Sequence, residues 1–292
     1  MPLANTRMAD DISVFAKLDQ PLSETLAMLR EESRVRGPRN PTLLRWAADH
    51  PKIARDNDWL ARAWWGAAAG ELVRAYLYNY DRDRQLAALE LVEQVDTQPL
   101  LDAQAHGRGV IVLTAHIGPP KLLMNWFIHQ QTPLLVWTAT HGVPAWQAAT
   151  CQATLVDPRS EDTRSLVLVK SALHLRRRGV LLGAADIKSG DRVVKIERLG
   201  FTRMFSLGLP TLARKLGVPT VVGLALWHAN QIKIEFAPLE QPDASLSDDA
   251  WNLAWLERSW SLVEPVLAES PENLRFLRGA VDRIAKPSDQ GS

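Results

Sequence analysis

Cysteine is almost absent: Cys151 is the only one in 292 residues. A single thiol makes no internal disulfide and no Cys-rich zinc site, a usage that fits a reducing cytoplasm. An excess of either charge is lacking too. With 34 Lys and Arg against 33 Asp and Glu, the formal net charge is +1, so no basic field argues for a nucleic-acid partner. No apolar run reaches the roughly 18 residues of a membrane span. The longest, Val218–Trp227 and Val110–Ala115, have strand lengths. The opening MPLANTRMADDISVFAKLDQP has no apolar h-region, so no secretory signal is expected. Gly-x-Ser-x-Gly, P-loop and Gly-x-Gly-x-x-Gly patterns are missing, as is any metal-ligand spacing, and neither a metal nor a resident cofactor is expected. Tyr and Phe are scarce, at 3 and 6, whereas Trp reaches 11. Trp suits places where one end of the ring is wet, but most of these are expected to be core anchors.

What is present divides the chain into two textures within one expected domain, 1–292. From about 10 to 105 it reads as a helical layer. Ser23 is a candidate cap for a helix running to Gly37, and Asn40-Pro41 opens a second that His50-Pro51 closes. Asn57 or Asp58 then opens WLARAWWGAAAGELVRAYLYNY, and further helices are predicted over about 82–95 and 98–105. From about 109 to 285, short aliphatic runs alternate with helical periods: VIVLTA, PLLVW, ATLVD, GVLLGAA, RVVKIERLG, a helix about 205–216, VPTVVGLALW and QIKIEFAPL. Strands apolar on both faces and separated by helices predict an α/β fold, a mostly parallel central sheet covered on both sides. The last two runs read as an antiparallel hairpin at the sheet's edge. Helices about 248–268 and 271–285 close the pattern.

Open α/β sheets bind ligands outside the carboxyl ends of their strands. Two polar residues fall there: His116 after VIVLTA, and Asp186 after GVLLGAA. An imidazole near neutrality serves as a general base. Gly118-Pro119-Pro120 forces a turn into a helix predicted over 119–131, whose first N–H groups favour an anion. A base beside an anion-stabilising helix end suits acyl transfer, in which a hydroxyl or amine loses a proton and an oxyanion develops.

These residues carry a resemblance. GVIVLTAHIGPPKLL resembles the first signature block of the lysophospholipid acyltransferase superfamily, nearest its lipid A lauroyl/myristoyl acyltransferase branch. LRRRGVLLGAADIKSGD and RLGFTRMFSLGLPTLARKLGVPTVVGLALW resemble later blocks in the same order, so the likeness runs from about 55 to about 285. It implies that His116 is the catalytic base and Asp186 the acidic residue of the third block. It also places Arg203 where the family contacts a phosphate or the acyl thioester. The implied donor is an acyl carrier protein or coenzyme A thioester.

The departures are specific. The family's carboxylate five residues after the histidine is Lys121 here, and between Ile117 and Pro158 the only acid is Asp157. Thr138 and Thr140 stand where a second-block arginine is expected, and only Arg278 survives of a basic C-terminal block. The branch's N-terminal membrane helix has no counterpart, which directs the expectation to a cytoplasmic protein with at most peripheral membrane contact. Three readings follow: another carboxylate, with Asp186 first, orients His116; Lys121 binds the carboxylate or phosphate of a different acceptor; or the fold is a non-catalytic binder of acyl chains or carrier protein. Elsewhere, His174-Leu175-Arg176-Arg177-Arg178 reads as a solvated helix end or a docking patch for an acidic carrier, and Arg214-Lys215 as another solvated end. Trp64-Trp65 reads as a core contact, with lipid contact the alternative. His141 and Cys151 have no visible partner.

Overall fold

A computed structural model describes residues 20–36, 44, 48, 56–78, 82–138, 153–158, 161–186, 192–198 and 201–274. Gly37, Asn40-Pro41, His50-Pro51, Thr140, His141, Cys151 and Arg278, together with most of the 271–285 helix, lie outside them.

Helix α1 is Leu22–Arg36 and α2 is Asn57–Leu77. Asp56, rather than Asn57 or Asp58, caps α2: its carboxylate accepts the Trp59 N–H at 2.8 Å. Ser23, the expected cap of α1, sits inside that helix's first turn. Next come α3 (Arg82–Leu89), strand β1 (Val92–Asp96) and α4 (Gln98–Ala105). The single helix predicted over 82–95 is therefore wrong in its second half. The β1 side chains are mostly exposed, so VEQVD carries no apolar alternation that would mark a strand.

The core elements follow: β2 (Val110–Thr114), α5 (Leu122–His129), β3 (Leu134–Trp137), β4 (Thr154–Val156), α6 (Glu161–Arg176) and β5 (Val180–Ala184). Then come β6 (Val193–Arg198), β7 (Phe201–Ser206), α7 (Gly208–Leu216), β8 (Thr220–His228), β9 (Gln231–Pro238) and α8 (Asp248–Glu269). A 3-10 turn, Pro271–Asn273, ends the described chain.

Seven strands form one sheet in the order β1-β9-β8-β2-β5-β3-β4. All neighbours are parallel except β8 and β9. The expected hairpin is antiparallel but is not the edge, because β1 pairs outside β9. RVVKIERLG does not join this sheet. It forms a separate two-stranded ribbon with β7, which takes the first residues of the predicted 205–216 helix.

The aliphatic strands are buried on both faces because both are covered. On β2, Ile111 and Leu113 enter one core with α6, α7 and α8 residues such as Leu175, Leu212 and Trp255. Val110 and Val112 enter the other, with Leu26 of α1, Leu72 of α2 and Phe127 of α5. Each fully buried Leu, Ile or Val contributes roughly 1.5–3 kcal/mol. Trp59, Trp65, Trp227, Trp251, Trp255 and Trp260 are buried anchors, as expected. Arg214 does more than solvate a helix end: its guanidinium donates to the carbonyls of Leu246 and Ser247 and lies over the Trp251 ring, tying α7 to the start of α8. Among the described residues no helix is long and apolar enough to cross a membrane.

Candidate active site

The register of two central strands builds the site. Thr114, the last residue of β2, pairs with Ala184, the last of β5. His116 and Asp186 each follow two residues later, so equal offsets bring them together at the carboxyl edge. Asp186 Oδ1 lies 2.8 Å from His116 Nδ1, and Oδ2 accepts the His116 backbone N–H at 2.9 Å. Both carboxylate oxygens therefore fix the same residue. The Asp186 side chain is 2% exposed and that of His116 is 42% exposed. With a carboxylate facing it, Nδ1 carries the ring proton. Nε2 is left as a basic nitrogen with no hydrogen-bond partner among the described residues.

The loop after His116 is held from behind. Gly118 donates its amide to the Asn273 carbonyl at 2.8 Å, and Ile117 bridges Leu274. The buried Asn273 side chain accepts the Trp227 N–H at 2.7 Å and donates to the Trp227 carbonyl at 3.3 Å, anchoring the turn on β8. Arg62 of α2 grips Glu272 through two nitrogens, at 3.0 and 3.1 Å. Gly66 admits this turn, since a Cβ there would stand 1.9 Å from the Glu272 carbonyl oxygen. Gly118 has φ 60, and its Cβ would fall 2.0 Å from the Ala225 oxygen. Only glycine satisfies both the angle and the approach.

The expected anion site changes accordingly. Helix α5 begins at Leu122 rather than 119, after Lys121 in the left-handed region at φ 66. The Gly118 amide is spent on Asn273 and does not face an anion. Lys121 reaches the hydroxyl of Thr138, just beyond β3, so its ammonium stands at the same sheet edge. Lys121 and Thr138, both singled out in the sequence, are thus partners. Arg203 lies on β7 opposite Ile196, and its side chain falls outside the described residues. The end of β7 is docked beside the dyad, where Ser206 donates its amide to the Ala185 carbonyl at 2.9 Å.

A small, mostly apolar pocket of about 10 Å³, room for about one water, lies next to Asp186, with Leu113, Phe205, Val222, Trp260 and Val263 among its walls; the His116 ring is not one of them. A larger hollow of about 350 Å³ lies between α1 and α2. Two of its cations are already engaged, Arg62 with Glu272 and Arg30 with Asn230, and the dyad is not among its walls. Of the two, only the smaller touches Asp186. Among the described residues no group of three or more His, Cys, Asp and Glu could hold a metal ion.

His174 is unlike its neighbours in the basic run. Its Nε2 donates to the carbonyls of Val180 and Pro133 at 3.0 and 3.2 Å. Burial holds its pKa below the ordinary histidine value, with Arg177 opposing protonation further. Asn273, which holds the His116 loop, was not legible in sequence, because its partners lie far away along the chain. No protein-family model matches this chain, and no curated protein matches it either.

Proposed function

We propose that this chain is an acyltransferase of the lysophospholipid acyltransferase type, moving an acyl group from an acyl carrier protein or coenzyme A thioester to a hydroxyl or amine. The acceptor is a soluble or carrier-bound molecule, and the setting is cytoplasmic. The observation that carries this reading is the buried Asp186 carboxylate holding His116 by ring and backbone together, with Nε2 turned to the open side.

In the reaction Nε2 takes the acceptor's proton as the acceptor oxygen or nitrogen attacks the thioester carbonyl. The C–S bond then breaks, and the imidazolium returns the proton to the leaving thiolate. Asp186 stabilises the imidazolium while it exists. Asp186, just past β5, thereby supplies the carboxylate that the position of Lys121 lacks. Lys121, held beside Thr138 at the same sheet edge, meets a carboxylate or phosphate on the acceptor. Arg203, on the ribbon docked beside the dyad, is assigned to the donor's phosphate or thioester. A non-catalytic binder of acyl chains has no use for an oriented imidazole with one open nitrogen, which weighs against that alternative.

The test incubates purified protein with acyl-thioesters and candidate acceptors and follows thiol release. His116→Ala is expected to lower the rate about 10²–10⁴-fold. Equal rates for wild type and variant end the enzymatic reading.

A further inference from the structure

Four large apolar side chains of one helix stand in solvent. On α6, Leu166, Leu168, Val169 and Leu173 are 48%, 46%, 54% and 48% exposed. Val167, Ser171 and Leu175 of the same helix are buried against the sheet, so the helix is already packed by its proper face. Leu166, Val169 and Leu173 follow helical spacing and form a ridge along the centre of the outward face. Exposed cations flank it: Lys170 on one side and Arg176 on the other, with Arg177 and Arg178 just past the helix end. An outward face should be polar, and from Leu166 onward this one is apolar along its middle and basic along its borders, while the first turn carries Glu161 and Asp162.

We propose that the outer face of α6 docks on an anionic lipid surface. A ridge one helix wide is too narrow for a stable protein interface, which takes roughly 800 Å² from each partner. A second copy would bring like cations together around a two-fold axis. A bilayer needs no matching relief: apolar side chains enter the headgroup boundary while Lys and Arg meet lipid phosphates. The helix precedes β5 and runs antiparallel to it, so its first turn lies at the carboxyl edge with the dyad. Its basic end lies toward the opposite edge. The surface stands apart from the dyad and holds whatever reaction His116 performs.

The experiment sediments the full chain with vesicles of phosphatidylcholine alone or mixed with phosphatidylglycerol, at low and high salt. Wild type is expected to pellet with the mixed vesicles only and to be released by salt. The double variant Lys170→Glu/Arg177→Glu is expected to bind roughly tenfold more weakly or worse, and Leu173→Asp to lose binding. Val169→Ser decides the apolar contribution if Leu173→Asp folds poorly. His116→Ala should bind like wild type, which separates this result from the fate of the catalytic reading. Three outcomes overturn the proposal: wild type ignoring anionic vesicles, variants binding as well as wild type, or α6 substitutions abolishing only self-association or only capture of an acidic carrier protein.

Discussion

Two histidines mark the two ends of β5, and their surroundings make them different reagents. At the carboxyl end, His116 gives Nδ1 to the buried Asp186 carboxylate and keeps Nε2 open. At the amino end, His174 spends Nε2 on two backbone carbonyls, and burial lowers its pKa. A carboxylate stabilises an imidazolium that forms during a reaction, whereas at His174 burial and the nearby Arg177 outweigh the two carbonyls and disfavour the charged ring. The first arrangement stores a base; the second secures a helix end to a strand. Residue type alone does not separate them, and the chemistry of the partner does.

The sharpest way to break this comparison is to remove the charge of Asp186 while keeping its shape. Asp186→Asn is expected to slow transfer about 10³–10⁴-fold, because the amide no longer enforces Nδ1–H or stabilises imidazolium. Histidine-ring NMR should show the His116 tautomer shifting while His174 stays unchanged. A full rate in Asp186→Asn, with His116→Ala inactive, would mean that the imidazole works without its carboxylate.

The contrast also explains what the amino-acid order disclosed. Strands β2, β3 and β5 were readable because two covered faces demand continuous aliphatic residues, and the dyad positions because both fall just beyond such runs. Asp186 as the partner of His116 was readable only as a candidate, since the strand register that aligns them is a long-range property. β1 was hidden by its exposed, polar side chains, and β7 by its merging with the apolar start of α7. The run containing His174 looked uniformly basic. That this ring turns inward depends on the carbonyls of Pro133 and Val180, and one of these belongs to another segment. A turn glycine before a helix, such as Gly118, looks the same in sequence whether its amide meets a ligand or, as here, Asn273.

Each histidine has a glycine beside it, and comparing them tests how rigidly each end is built. Gly118→Ala forces a left-handed angle on alanine and drives its Cβ into the Ala225 carbonyl of a buried strand. Backbone cannot yield there, and a loss of about 3–5 kcal/mol in urea unfolding is expected. Gly179→Ala instead meets the tip of the His174 ring, 2.1 Å from Nε2. That ring can swing out at the cost of its two hydrogen bonds, about 1–2 kcal/mol. A Gly179→Ala loss equal to that of Gly118→Ala would show the His174 end to be as unyielding as the His116 loop.

The smallest effect reads the His174 end by pH. Its folded pKa lies below the ordinary 6.5, so below about that pH the unfolded chain binds the proton first. Unfolded protein then carries more protons than folded, and stability rises with pH across the interval between the two values. The contribution is complete above 6.5 and is lost as pH falls toward the depressed folded value. Because the ring is only half-buried, solvent screening keeps the change below roughly 1 kcal/mol. His174→Gln should remove that slope: its urea midpoint deficit relative to wild type is expected to be larger at pH 7.5 than at about pH 5.5. A deficit that grows on acidification would mean that His174 is charged in the fold and belongs, after all, with the arginines that follow it.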